Sequence, residues 1–134
     1  MAAMLLFERY LRYIPMIAVM GIIFFLSQQP GTTFKLPMPL GADKLAHAAL
    51  YAILAATAIF ALLPARPQKK IPAGLLVVLF CLLYGISDEF HQSFVPGREP
   101  SGGDILADTA GAAVAVAVWL RSIIIDGPAK THQQ

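Results

Sequence analysis

Four apolar stretches constrain what this chain can fold into more than any other feature of its sequence. They cover residues 14–26, 45–63, 71–86 and 105–120, the last with an extension to residue 125. A helix that crosses a lipid bilayer needs about 20 apolar residues, with a range of about 17 to 25. The second and fourth stretches reach that length directly, and the first and third reach it with their flanks. The sequence therefore predicts four membrane-spanning helices.

The overall composition agrees with a membrane protein. Of the 134 residues, 57% are hydrophobic and 13% are charged, whereas a soluble domain carries about 25% charged residues. Such a chain has too little polar surface to stay in water. We predict an all-α integral membrane bundle, with a single transmembrane domain over residues 1–126 and a disordered tail over residues 127–134.

The distribution of Lys and Arg predicts the orientation, because positively charged loops stay in the cytoplasm. With the amino terminus inside, seven basic residues lie inside and three lie outside. The inside residues are Arg9, Arg12, Arg66, Lys69, Lys70, Arg121 and Lys130, and the outside residues are Lys35, Lys44 and Arg98. We expect a multi-pass protein of the bacterial cytoplasmic (inner) membrane with both termini in the cytoplasm. The first stretch also has the form of a signal sequence, but no small-x-small cleavage site follows it.

The sequence argues against two other function classes. It has no basic stripe and no zinc-finger spacing, so nucleic acid is not an expected partner. Its single cysteine, Cys81, lies inside the third apolar stretch, which argues against disulfide and redox chemistry.

Small residues at a spacing of four predict close helix contacts, because they let helix backbones approach each other in lipid. The fourth stretch has Gly103, Ala107, Gly111 and Ala115 at this spacing, and the second has Ala48, Ala52 and Ala56. Such stripes suit packing within one chain and self-association of two chains, so the sequence leaves the oligomeric state open.

The few charged residues gather in two segments that the predicted topology places together on the outer side. Six of the eight acidic residues lie there: Asp43, Asp88, Glu89, Glu99, Asp104 and Asp108. The same segments carry Lys44, His47, His91, Gln92 and Arg98. Ionisable groups in spanning helices normally face the bundle interior or a wet cavity, because exposure to lipid is costly. The sequence therefore predicts a polar site on the extracytoplasmic side.

At the start of the second stretch, Asp43 and His47 lie one turn apart on the same helix face. Asp43 directly precedes an apolar helix, which is the position of an N-cap. His47 lies about 6 Å into the helix, at a rise of about 1.5 Å per residue. It is therefore expected either to face a site or to be hydrogen-bonded within the core.

The third stretch ends with two adjacent carboxylates, Asp88 and Glu89, where negative charge opposes the helix macrodipole. Asp88 and Gln92 share a helix face, whereas Glu89 points about 100° away. Arg98, which follows, is expected to pair with a carboxylate or to bind an anion in a bidentate fashion. Local helix physics does not require the two carboxylates, which favours a functional role for them.

The fourth stretch begins with Ser101 and Asp104, which have the spacing of a capping box. Asp108 is one turn further along the same face and has no capping role. Because a carboxylate that faces lipid is costly, Asp108 is expected to face His47, Arg98 or a bound cation.

These motifs, taken in order, resemble the signature of the VanZ-like family of small multi-spanning bacterial membrane proteins. The resemblance covers residues 43–120 and rests on Asp43-Lys44-x-x-His47, Asp88-Glu89-x-x-Gln92-x-Phe94-Val95-Pro96-Gly97-Arg98, Ser101-x-x-Asp104 and Asp108-Thr109-x-Gly111. The family usually has asparagine where this chain has Asp108. The resemblance implies a cell-envelope protein, since the family is named for a member linked to resistance to the glycopeptide teicoplanin. It names a family and not a reaction.

Two functions from different classes remain open. The first is a non-enzymatic protein whose outer polar pocket binds a lipid-linked cell-wall component or a glycopeptide. Its predicted binding residues are Asp43, Lys44, His47, Asp88, Glu89, Gln92, Arg98, Asp104 and Asp108.

The second is a membrane hydrolase or transferase that acts on a lipid-linked or phosphate-bearing substrate at the outer leaflet. Its catalytic candidates are His47 as proton carrier and Asp88 or Glu89 as general base, with Lys44 and Arg98 holding a phosphate. A divalent metal bound by imidazole and carboxylate is a variant of this function. The excess of acidic residues favours that variant, and the lack of an HExxH spacing argues against it.

Overall fold

The computed structural model describes residues 7, 10–31, 41–63 and 67–125. Four long helices and no strand occur within these ranges: α1 (Ile14–Ser27), α2 (Ala42–Leu62), α3 (Lys70–Gln92) and α4 (Gly102–Ile125). The all-α prediction is confirmed. The predicted tail at 127–134 lies outside the described residues, as do Arg9, Lys35, Arg66 and Lys130 of the orientation argument.

Three of the four helices are long and apolar enough to cross a membrane. They are α2 with 21 residues, α3 with 23 and α4 with 24. α1 is equally apolar in character but has 14 residues. The chain is therefore a multi-pass helical membrane protein in which three candidate spans are accompanied by one shorter apolar helix.

Proline and glycine lie at the helix ends. Pro15 and Pro72 occupy the first turns of α1 and α3, where a backbone N–H has no helical acceptor to lose. Gly41 precedes α2 with φ of 86°, and Gly97 in the turn after α3 has φ of 75°. Both values belong to the left-handed region, which glycine adopts without steric cost.

The most extensive helix contact joins α2 to α4. Gly111 lies against the backbone of Ala48, and a Cβ atom on Gly111 would collide with the Ala48 carbonyl. Ala55 and Ala58 on α2 and Ala112 on α4 are fully buried in the same core. Small residues therefore bring these two helices together within one chain, as their spacing predicts.

The outward faces of the helices are strongly apolar. Leu75, Leu79 and Leu83, spaced four apart on α3, are 63%, 49% and 58% exposed. A continuous exposed leucine face is unusual for a soluble monomer. It is ordinary in lipid, because hydrocarbon chains are as apolar as leucine.

α1 is attached along its length to the other helices. The Tyr84 hydroxyl of α3 donates to the Met20 carbonyl at 2.7 Å. Arg12, just before α1, donates to backbone carbonyls at the end of α2. After α1, the Gly31 N–H donates to the Pro96 carbonyl at 3.2 Å. The end of α1, the start of α2, the end of α3 and the start of α4 thus meet at one end of the bundle.

Candidate functional site

The polar residues of the two predicted outer segments meet at this end and form two groups. The first group joins α2 to α4 and contains Lys44, His47, Asp104 and Asp108. The second group joins α1 to α3 and contains Ser27, Asp88 and Gln92. Beside these two groups, the Glu89 carboxylate accepts a hydrogen bond from the Ser101 N–H, and Arg98 donates to the Gln29 carbonyl.

Two contacts hold the α2–α4 group together. Nδ1 of His47 lies 3.0 Å from Oδ1 of Asp108, whose side chain is 1% exposed. The Lys44 ammonium group donates to the Asp104 carboxylate. Of the three partners expected for Asp108, the structure therefore selects His47. Nε2 of His47 lies 4.0 Å from Oδ2 of Asp104, which is beyond hydrogen-bonding distance.

The capping-box interpretation of Ser101 and Asp104 is wrong. The Ser101 N–H, which a capping box would direct to Asp104, donates to Oε2 of Glu89 on α3 at 2.6 Å. Asp104 is held instead by Lys44 on α2. Partners on two neighbouring helices thus replace the local cap. Lys44 on α2 binds the Asp104 carboxylate, and Glu89 on α3 accepts the hydrogen bond from the Ser101 N–H.

The N-cap interpretation of Asp43 is also wrong. α2 begins at Ala42 with Gly41 in the N-cap position and no side-chain cap. The Asp43 side chain is 60% exposed, and the Lys44 ammonium group lies 3.2 Å from its carboxylate. A carboxylate in the first turn still complements the helix macrodipole, and most of its surface remains open.

The α1–α3 group is centred on one carboxylate oxygen. The Ser27 hydroxyl donates to Oδ2 of Asp88 at 2.7 Å, and Nε2 of Gln92 donates to the same oxygen at 3.0 Å. All three residues are buried. The predicted common face of Asp88 and Gln92 is therefore present, and it is turned toward α1.

Arg98 binds the carboxyl end of α1. Its Nε donates to the Gln29 carbonyl and its Nη2 to the Leu26 carbonyl, both at 3.0 Å. The Leu26 carbonyl also accepts the Gln29 N–H at 3.2 Å, and the positive charge of Arg98 complements the macrodipole at that end of α1. No carboxylate of the described ranges forms an ion pair with Arg98. Its partners in the described residues are backbone carbonyls and not the carboxylate that was one of its two expected partners.

A cavity of about 280 Å³ lies between α1, α2 and α3 at this end of the bundle. Its apolar walls are Ile23, Leu26, Ala46 and Leu50, and its polar lining is Ser27, Asp43, His47, Tyr51, Asp88, Gln92 and Arg98. We call it the polar cavity. Asp43 and Ala46 on its edge are exposed. The candidates Lys44, Glu89, Asp104 and Asp108 lie outside this lining.

Several buried polar atoms at this end have no hydrogen-bond partner among the described residues. They include the Tyr51 hydroxyl, Oε1 of Glu89 and Oδ2 of Asp108. Tyr51 is 1% exposed and lines the polar cavity. Leaving a buried hydroxyl unpaired costs about 1–3 kcal/mol. The Tyr51 hydroxyl is therefore a donor that the described residues leave unused.

No group of three or more His, Cys, Asp and Glu side chains in the described part of the chain is arranged to hold a metal ion. Asp108 contacts His47, Asp104 contacts Lys44, and Glu89 contacts a backbone N–H. The divalent-metal variant of the enzyme hypothesis therefore gains no support from the geometry.

Two polar residues of the outer segments lie away from the cavity. The His91 ring stacks on Phe24, with ring centroids 4.7 Å apart. Glu99 is exposed in the turn before α4. Neither residue lines the polar cavity.

Sequence reasoning missed Ser27 and Tyr51. Ser27 directly follows the first apolar stretch, and a polar residue one position after such a stretch was the available signal. Tyr51 follows His47 by four residues, so the two share a helix face. The apolar character of the surrounding stretch made Tyr51 look like an ordinary core residue.

The chain has apolar helices that are long enough to cross a membrane, and it has buried polar residues at one end of the bundle. These two features place it in the class of multi-pass membrane proteins with a polar site. The family model described as VanZ/LLP1 matches residues 12–125, which is most of the chain. The chain therefore belongs to the VanZ/LLP1 family, and the resemblance that its motifs carry is confirmed. Neither the curated proteins nor the solved structures contain a match to the chain.

Proposed function

We propose that this protein acts in the bacterial cell envelope, where its polar cavity binds the headgroup of a lipid-linked envelope component. By holding that component, it would alter access of glycopeptides such as teicoplanin to the cell wall. The observation that carries the proposal is the cavity of about 280 Å³ with a mixed polar and apolar lining.

The size of the cavity favours a headgroup over a whole glycopeptide. Ligand pockets have volumes of roughly 300–1,000 Å³, so the polar cavity, at about 280 Å³, lies just below that range. A glycopeptide antibiotic is a large polycyclic molecule and would not be enclosed. A lipid headgroup enters such a space while its hydrocarbon chains remain in the bilayer.

Charge at the opposite end of the bundle supports an extracytoplasmic cavity. The charged residues described there are all basic: Arg12, Lys69, Lys70 and Arg121. Basic residues accumulate on the cytoplasmic side of membrane proteins. In this orientation both termini lie in the cytoplasm, and the polar cavity faces the side on which cell-wall precursors are used.

A membrane hydrolase or transferase is the second candidate function, and the contact between His47 and Asp108 favours it. A buried carboxylate at 3.0 Å from Nδ1 holds an imidazole in one orientation, as in hydrolases that use histidine as a general base. His47 also lines the polar cavity, as does Arg98, which suits a phosphate. Glu89 is less suited to catalysis, because it binds the Ser101 N–H and does not line the cavity.

A matched pair of tryptophan variants tests the binding function. Ala46→Trp places a large side chain at the edge of the polar cavity, whereas Ala49→Trp places it on an exposed position of the same helix outside the lining. The variants are purified from cell membranes, and the co-purified lipids are identified by mass spectrometry. Teicoplanin susceptibility is measured in the same cells at equal membrane abundance.

We expect Ala46→Trp to lose a lipid that Ala49→Trp retains, and to change susceptibility with it. Identical lipids and identical susceptibility in both variants would overturn the proposal. His47→Gln separates the two functions: a binding protein co-purifies with less of its lipid and the lipid content of the membrane is unchanged, whereas loss of an enzyme makes an unprocessed lipid accumulate in the membrane.

A further inference from the structure

The polar cavity is lined by charged groups of both signs. Asp43 and Asp88 contribute carboxylates, and Arg98 contributes a guanidinium group. The imidazole of His47 lies on the same lining. Positive and negative groups therefore line one small volume, from α2, from α3 and from the turn after α3.

This lining discriminates among ligands by charge. An anion is attracted to Arg98 but is repelled by Asp43 and Asp88. A cation is attracted to the carboxylates but is repelled by Arg98. Such interactions are strong at separations of a few Å, because the protein screens charge less than bulk water does. A ligand that carries both signs is attracted by the carboxylates and by the guanidinium group.

We propose that the polar cavity binds the headgroup of a zwitterionic lipid in which a phosphate is linked to a primary ammonium group, as in phosphatidylethanolamine. This inference rests on the proposed binding function and names its ligand class. The phosphate is assigned to Arg98 and His47, and the ammonium group to Asp43 and Asp88.

The groups that line the cavity have donors left for a phosphate. Arg98 uses two N–H bonds on backbone carbonyls, and a guanidinium group has five. Tyr51 lines the same cavity, and its buried hydroxyl has no hydrogen-bond partner within the described residues. A phosphate oxygen that reached this hydroxyl would accept a hydrogen bond from it.

The apolar surroundings favour a lipid over a soluble aminoalkyl phosphate. Ile23 and Leu26 on α1 and Leu50 on α2 contribute apolar lining to the cavity. On the outer faces of the flanking helices, Phe25 is 64% exposed and Leu45 is 73% exposed. Hydrocarbon chains contact such faces without desolvation of polar groups, so the headgroup enters the cavity while the chains stay in the bilayer.

Native mass spectrometry of the full chain in detergent tests this assignment. The protein is titrated with phosphatidylethanolamine, phosphatidylcholine and phosphatidylglycerol that carry the same acyl chains. Phosphatidylcholine keeps the positive charge but has no N–H donor, and phosphatidylglycerol has no positive charge. We expect phosphatidylethanolamine to bind about tenfold more tightly than either, the effect of one charge-assisted hydrogen bond.

Charge-neutralising variants connect the selectivity to the cavity. Arg98→Gln and Asp43→Asn are each expected to weaken phosphatidylethanolamine binding about tenfold. Arg121→Gln and Glu99→Gln are matched controls at exposed positions outside the lining, and they are expected to have no effect. Because Arg98 also binds the end of α1, circular dichroism confirms helix content, and Asp43→Asn at an exposed position provides the independent test.

Three results would overturn the inference. Preferred binding of phosphatidylglycerol that is lost in Arg98→Gln would show an anionic ligand, and the proposed binding function would survive. Competition by soluble phosphoethanolamine at the concentration of the lipid would show that the lipid chains contribute nothing. Equal binding of all three lipids, with no effect of Ala46→Trp, would remove the proposed binding function as well.

Discussion

The α2–α4 interface and the α1–α3 interface carry similar side chains at the same end of the bundle but differ in how those side chains are used. Between α2 and α4, Gly111 lies against Ala48, and the polar residues beside them pair across the interface. Between α1 and α3, Ser27 and Asp88 also bond directly, yet the polar cavity lies next to them.

Backbone distance explains the difference. A glycine in α4 lets two helices approach until little space remains for a ligand, so charged side chains there serve as mutual partners. α1 is joined to α3 through side chains, including the hydroxyl of Tyr84. Helices held apart by side chains leave a volume between them. Polar residues in the closer interface are therefore expected to control stability, and those around the cavity to control binding.

The largest predicted effect comes from forcing α2 and α4 apart. Gly111→Ala places a Cβ atom in collision with the Ala48 carbonyl, so the helices must separate. Overpacking of this kind costs about 3 kcal/mol or more, and thermal unfolding in detergent should show a large loss. Gly21→Ala is the control, because it lies within α1 with nothing inside 4 Å of the added Cβ. A wild-type melting temperature for Gly111→Ala would refute the close-packing account.

Removing the Asp108 carboxylate should have the next largest effect. Asp108→Ala leaves His47 without its partner across the closer interface, and we expect a loss of about 2 kcal/mol in the free energy of unfolding. Asp108→Asn keeps a hydrogen-bond acceptor for Nδ1 and should lose less. Chemical denaturation of the two variants measures the difference. If Asn were as disruptive as Ala, charge and not hydrogen bonding would hold this contact.

Ser27→Ala should have a smaller effect at the looser interface. It removes one of two hydrogen bonds to Oδ2 of Asp88, which corresponds to about 1 kcal/mol. Ser87→Ala is the matched control, because the exposed Ser87 hydroxyl bonds only within its own helix, to the Tyr84 carbonyl. Equal melting temperatures for the two serine variants would argue against a stabilising role for the Ser27 contact.

Tyr51→Phe should have the smallest effect on stability. It should also distinguish most clearly between a residue that stabilises the fold and one that binds the lipid. The hydroxyl has no partner among the described residues, so its removal should leave the unfolding free energy of the lipid-free protein unchanged or slightly raised. Binding of phosphatidylethanolamine should nevertheless weaken several-fold. A loss of stability without lipid would show that the protein itself uses this hydroxyl.

Hydropathy predicts the helices well because their apolar stretches are long and local in sequence. The start of α2 illustrates the limit: the sequence suggests Asp43 as N-cap, whereas Gly41 takes that position. Both residue types are favourable N-caps, so the backbone of the preceding turn decides between them. Amino-acid composition does not determine the backbone conformation of that turn.

The candidate site could be predicted as a set of residues but not as a set of contacts. His47 was one of three partners expected for Asp108, and only the closeness of α2 and α4 selects it. The carbonyls that bind Arg98 could not be foreseen, because they belong to a helix end about 70 residues earlier in the chain. Tyr51 was missed since a buried tyrosine in an apolar stretch is more often a packing residue.

The contacts of α1 have a consequence for how the protein is made. Synthesis produces α1 first, but the partner of Ser27 follows 61 residues later and the Arg98 that binds Leu26 follows 72 residues later. α1 can pack against α2 before that point, but its contacts with Asp88 and Arg98 form only when the chain has been translated beyond the end of α3. The polar cavity comes into existence only at that moment, as one of the last events of membrane insertion.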